Sequence, residues 1–85
     1  MAHERAGQVA LPEDLIDVDA LLRAYHDLVP DPDNPDQQVV FGTSGHRGSA
    51  LDAAFNDAHI AATTQAIVEY RASQGVTGPL FIGKD

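Results

Sequence analysis

Residues Phe41-Gly42-Thr43-Ser44-Gly45-His46-Arg47-Gly48-Ser49 place three glycines, three hydroxyls, an imidazole and a guanidinium within nine positions, directly after a short apolar run. These are the residue types that hold an anion. Glycines at 42, 45 and 48 allow positive φ and a close approach of the backbone, so that N–H groups can point at oxygen atoms. Thr43, Ser44 and Ser49 add hydroxyl donors, and the planar fork of Arg47 can grip two phosphate oxygens at once. A stretch rich in glycine and hydroxyl residues is more commonly a plain loop; the presence of His46 and Arg47 within this one favours a phosphorylated small molecule as its guest. The spacing matches neither G-x-x-x-x-G-K-[ST] nor G-x-G-x-x-G, which excludes the nucleotide-binding loops.

Other chemistry is scarce. The chain has no cysteine, hence no disulfide, thiolate nucleophile or cysteine metal site. His3, His26, His46 and His59 show no H-x-H or H-x-x-x-H spacing, so no metal ligand set is expected from them. Asp31, Asp33 and Asp36 alternate with prolines that keep their carboxylates apart, and the D-x-D-x-D-G pattern of a calcium loop is missing.

The elements that must position the glycine loop fall in two parts. Residues 1–36 are expected to form a helical extension and a linker. Leu15, Val18, Leu21, Leu22, Tyr25 and Leu28 recur at helical steps, with Asp17 as N-cap for the stretch from Val18. Tyr25 and His26 read as packing and solvated positions of that helix. Residues 30–36 hold three prolines and three aspartates, which excludes helix and reads as a stiff, solvated linker. This extension is expected to dock weakly on residues 37–85.

Residues 37–85 are expected to form a βαβ unit, an α/β fold class. Residues 38–41 are a β-rich run that delivers the chain into the glycine loop. Asn56 is a favoured N-cap, Phe55 and Ile60 suit a hydrophobic staple, and Gly75 is a natural terminator, which predicts a helix over about residues 57–74. Its apolar arc contains Phe55, His59, Ile60, Thr63, Ala66, Ile67 and Tyr70, so His59 reads as a packed core histidine. Residues 80–83 read as a strand buried on both faces. A right-handed crossover would then set the glycine loop at the carboxyl end of the first strand, where open α/β sheets bind ligands.

With 13 acidic against 5 basic residues, the formal charge is −8. That repels polyphosphate and argues against nucleic acid or an anionic membrane as partner. It also disfavours reading Gly45-His46-Arg47-Gly48 as a G-x-x-G RNA clamp, which wants basic surroundings. The amino terminus lacks an apolar signal core, and a cytoplasmic location is expected. A non-catalytic interaction module is the bland alternative.

The chain also resembles a known family, in residues spread along nearly its whole length. The loop 41–48, then Phe55-Asn56-Asp57 with His59-Ile60, Gln65-Ala66-Ile67 with Arg71, Thr77-Gly78-Pro79 and Ile82-Gly83-Lys84-Asp85 are similar to the amino-terminal segment of bacterial α-D-glucose-type phosphoglucomutases, of the α-D-phosphohexomutase superfamily. Arg5-Ala6-Gly7-Gln8 and the helix from Asp14-Leu15-Ile16 to Tyr25 resemble it too. The resemblance implies a four-domain enzyme of which this chain is the incomplete first domain. It implies interconversion of glucose 1-phosphate and glucose 6-phosphate through a phosphoserine, with glucose 1,6-bisphosphate and Mg²⁺ as cofactors, and with the phosphosugar and the enzyme's other domains as partners. By position in the motif, Thr43, Ser44, His46 and Arg47 would line the phosphate site. Ser44 is not the nucleophile, because the family's phosphoserine lies in a T-x-S-H-N-P motif that this sequence lacks. The metal loop, the sugar loop and the carboxyl-terminal phosphate segment are also missing, so the chain alone is expected to be inactive.

Overall fold

Asp17 opens the first helix as its composition suggests: extended in its own backbone, it accepts a hydrogen bond from the Ala20 N–H at 3.1 Å. The computed structural model describes residues 2–85 and contains two α-helices, α1 (Val18–Asp27) and α2 (Asp57–Ser73), with single 3-10 turns at Pro12–Asp14, Pro35–Gln37 and Ala50–Asp52. Helix α1 starts three residues later than the apolar periodicity from Leu15 suggests. Leu15 instead closes the turn Pro12–Asp14, whose Asp14 carboxylate accepts from the Leu11 N–H and pairs with Arg5. Periodicity counts apolar positions and does not register that Asp14 is engaged in another cap.

The proline-aspartate stretch is also more ordered than its composition implies. Pro35 occupies the first position of a 3-10 turn capped by Asn34, where its missing N–H costs nothing. Gln37 Oε1 accepts from the Asp31 N–H at 2.7 Å, and Gln38 Nε2 donates to the Pro32 carbonyl at 2.7 Å. Two amide side chains thus fold a segment that has no regular backbone partner.

No strand ladder forms among the described residues, and the one bridge is the isolated pair Gly42 and Gly45. Residues 38–41 and 80–83, expected as the two strands of a βαβ unit, are unpaired, and Phe81 is 87% exposed. The physical reason is size: two strands are marginal without further strands or a covering layer, and a parallel pair must also close the long crossover loop between them.

Helix α2 obeys its end signals. Asn56 caps its start, and Gly75 at φ 67° follows Gln74 in a Schellman turn, with Val76 N–H on the Arg71 carbonyl at 3.0 Å and Gly75 N–H on Ala72 at 3.2 Å. The expected single apolar arc is not what α2 displays. Ala58, Ala61, Ala62 and Val68 lie off that arc, only His59 is buried, and Tyr70 is 68% exposed. Apolar residues are instead spread around the helix among Asp57, Gln65, Glu69 and Arg71, so that no single face gathers them.

Contrary to weak docking, α1 is fastened to the start of α2. Asn56, with no exposed surface, donates from Nδ2 to the Leu28 carbonyl at 2.8 Å, past the last turn of α1, and at 3.4 Å to the Ala24 carbonyl, which also accepts the Leu28 N–H at 3.2 Å. Ala24, Ala50 and Ala53 form the small buried apolar contact beside it. His26 adds an exposed contact to Asp57 at 3.4 Å.

The whole remains open. Its accessible surface is 7118 Å², against about 4,900 Å² for a compact chain of this size. Its radius of gyration is 17.0 Å, against about 12 Å, and its long axis spans 54 Å. No helix among the described residues is long and apolar enough to cross a membrane.

Candidate functional site

The glycine loop begins as a tight turn. Gly42 and Gly45 exchange hydrogen bonds at 3.1 and 3.4 Å, leaving Thr43 and Ser44 exposed at the tip. Of the three glycines that allow positive φ, only Gly45 takes it, at 97°. Arg47 is exposed on the next limb. Its Nε reaches the Ser44 carbonyl at 3.4 Å, and its guanidinium forms no ion pair among the described residues. The amides of Thr43, Ser44, His46, Arg47 and Gly48 have no protein partner among the described residues either. Although the chain is strongly acidic, no carboxylate lies between Asp36 and Asp52. The structure therefore brings Thr43, Ser44 and Arg47 together on one exposed, acid-free arch with free N–H donors, which suits an anion.

Gly48 is required by space rather than by φ. A Cβ there would sit 2.8 Å from the Ala54 Cβ and 3.0 Å from its carbonyl carbon. Ala54 cannot readily yield, because its N–H is bonded to the Ser49 carbonyl at 3.1 Å and its own carbonyl accepts from His46 at 2.7 Å. Gly48→Ala should therefore destabilise the chain by about 1–3 kcal/mol, as overpacking does. A urea titration followed by circular dichroism checks it, and an unshifted midpoint would refute the close-approach argument.

His46 sits behind the arch, half-buried. Its Nε2 lies 2.7 Å from the Ala54 carbonyl and its Nδ1 3.2 Å from the Val40 amide nitrogen. A carbonyl can only accept, so Nε2 donates to Ala54; Nδ1 stands 3.2 Å from both the amide nitrogen and the carbonyl oxygen of Val40, and in the Nε2–H tautomer its lone pair receives the Val40 N–H. His59 repeats the pattern, with Nε2 donating to the Gln37 carbonyl at 2.7 Å and, in that tautomer, Nδ1 accepting from the Asn56 N–H at 3.1 Å, with Asn56 Oδ1 3.0 Å from the same nitrogen. His59 thereby takes the place that glutamate fills in a capping box, while Asn56 Oδ1 receives the Ala58 N–H at 3.1 Å. The buried position of His59 is legible from helix periodicity; its capping role is not, although a cap residue with a polar side chain three positions later is the available signal.

The His46 ring stacks on Phe55 with centroids 5.0 Å apart and planes at 17°, and His59 stands 5.8 Å from His46 on α2. Beneath the arch these rings line a groove of about 240 Å³ with Phe41, Ile60 and Thr63. The Mg²⁺ implied by the resemblance finds no ligand set here: no three histidine, aspartate or glutamate side chains converge to hold a metal among the described residues.

Residues 38–85 match the family described as phosphoglucomutase/phosphomannomutase, alpha/beta/alpha domain I. The phosphoglucomutase of Komagataeibacter xylinus is 54% identical over 80 residues, which cover 94% of this chain and 14% of that protein. The chain thus spans about a seventh of the length of this curated relative. No solved structure gives a significant match.

Proposed function

Given that the chain belongs to the phosphoglucomutase/phosphomannomutase family through its alpha/beta/alpha domain I, we propose that it supplies the phosphate-gripping loop of a cytoplasmic phosphoglucomutase. The reaction is interconversion of glucose 1-phosphate and glucose 6-phosphate. The observation that carries this reading is the exposed arch, where Arg47 and unengaged amides face solvent in a stretch without carboxylates. In it, Thr43 and Ser44 hold a phosphate by their hydroxyls and N–H groups, and Arg47 spans two of its oxygens. The same residues would hold one end of glucose 1,6-bisphosphate. During transfer, the guanidinium stabilises charge on the phosphoryl oxygens, a task of fixed donors in phosphoryl chemistry.

The remaining machinery is assigned to other parts of a longer protein, including the phosphoserine and the residues for Mg²⁺. The unpaired runs at 38–41 and 80–83 and the exposed Ile60, Ile67, Val68 and Tyr70 of α2 fit completion of the α/β/α domain there, with the βαβ pairing formed once neighbouring strands are present. These residues alone are therefore inactive as a mutase. The test is to place the chain into the full-length relative in exchange for its matching segment and to assay glucose 1-phosphate conversion. Activity near that of the unaltered relative is expected. A folded but inactive chimera would overturn the reading.

A further inference from the structure

The two histidines form rungs across the same pair of segments. His46 joins Val40 to Ala54, and His59 joins Gln37 to Asn56. Each ring accepts one backbone N–H and donates to one backbone carbonyl, which is what a residue in a β-ladder does with its own amide. The rings face each other across 5.8 Å, and Phe55 stacks on His46. The segment entering the anion loop and the segment leaving it are thus tied by imidazoles where no backbone pairing exists. With both ring nitrogens so engaged, His46 has none left for a phosphate.

We propose that His46 is the positioning residue of the anion loop: by tying Val40 to Ala54 it fixes the span of the arch and so aims Arg47, its chain neighbour. The role rests on the mutase reading for its catalytic consequence, but the hydrogen-bonded geometry can be tested without it. His46 acts through Arg47, and its loss should matter only while Arg47 is present.

The test compares His46→Phe, which keeps the stack and loses both hydrogen bonds, with His46→Gln, which restores a donor and an acceptor. In the full-length chimera, His46→Phe should lower kcat by ~10–10²-fold, the cost of misplacing a catalytic group by about 1 Å. KM for glucose 1-phosphate should change much less, and His46→Gln should recover part of the loss. In an Arg47→Ala background the same change should cost under about 2-fold, because the two residues act on one step. An equal loss in both backgrounds, or an unchanged kcat, overturns the proposal. The second measurement uses the 85-residue chain itself. Imidazole nitrogen NMR should show His46 fixed with its proton on Nε2, and His46→Phe should speed exchange of the Val40 amide about 10-fold or more while α2 persists. A ring averaging between tautomers, or unchanged Val40 exchange, overturns the proposal even if the chimera proves inactive.

Discussion

Replacing Arg47 by alanine should lower the turnover of the full-length chimera by ~10²–10³-fold, the usual loss when a fixed donor to a charged transition state is removed. Arg47→Lys should fall between the two, since the ammonium keeps the charge but cannot span two oxygens. Stability should hardly move. The side chain is exposed, and its one hydrogen bond among the described residues is a long one to the Ser44 carbonyl at 3.4 Å. Steady-state kinetics beside thermal melts separate the two quantities. A kcat/KM for Arg47→Ala within a few-fold of the parent would reduce the arch to a structural loop.

The largest stability effect is expected at Asn56. Asn56→Ala removes the cap of α2 and leaves the Leu28 and Ala24 carbonyls without their side-chain donor. Cap loss costs about 1 kcal/mol, and leaving the part-buried Leu28 carbonyl without a donor about 1–2 kcal/mol, giving a total of about 2–3 kcal/mol. Small domains carry only a few kcal/mol in all, so α1 should come away from α2. Asn56→Asp is no remedy. Its carboxylate could still accept from Ala58, but it would oppose two carbonyl oxygens with nothing to donate. Urea unfolding of the 85-residue chain, with amide exchange of α1, measures the change; retention of the parental midpoint in both variants would refute the clamp.

Local signals are legible in the sequence. Asp17 and Asn56 at the helix starts and Gly75 after the second helix each act within four residues, and propensity reasoning works at that range. Leu15 misled because an apolar residue looks the same in a helix and in the cap of a 3-10 turn. The strand-like runs at 38–41 and 80–83 have the right composition, but strands exist only as pairs and these need neighbours. The glycine loop is legible as a set of residue types, whereas the different surroundings of its side chains are not. His46 and Arg47 are adjacent in the chain but differently placed, because Val40 and Ala54 converge on the imidazole and not on the guanidinium. The burial of Asn56 against α1 was invisible for the same reason, its partners lying 28 and 32 positions away.

That separation has a consequence for synthesis. The ribosome delivers about 5–20 residues each second. Leu28 and Ala24 therefore emerge roughly 1.5–6 s before the amide that will bind them, given intervals of 28 and 32 residues. A ten-residue helix is too short to persist alone in water. The first helix of the nascent chain should thus flicker until Asn56 clears the exit tunnel, so its final folding is timed by a residue in the next helix's cap rather than by its own completion.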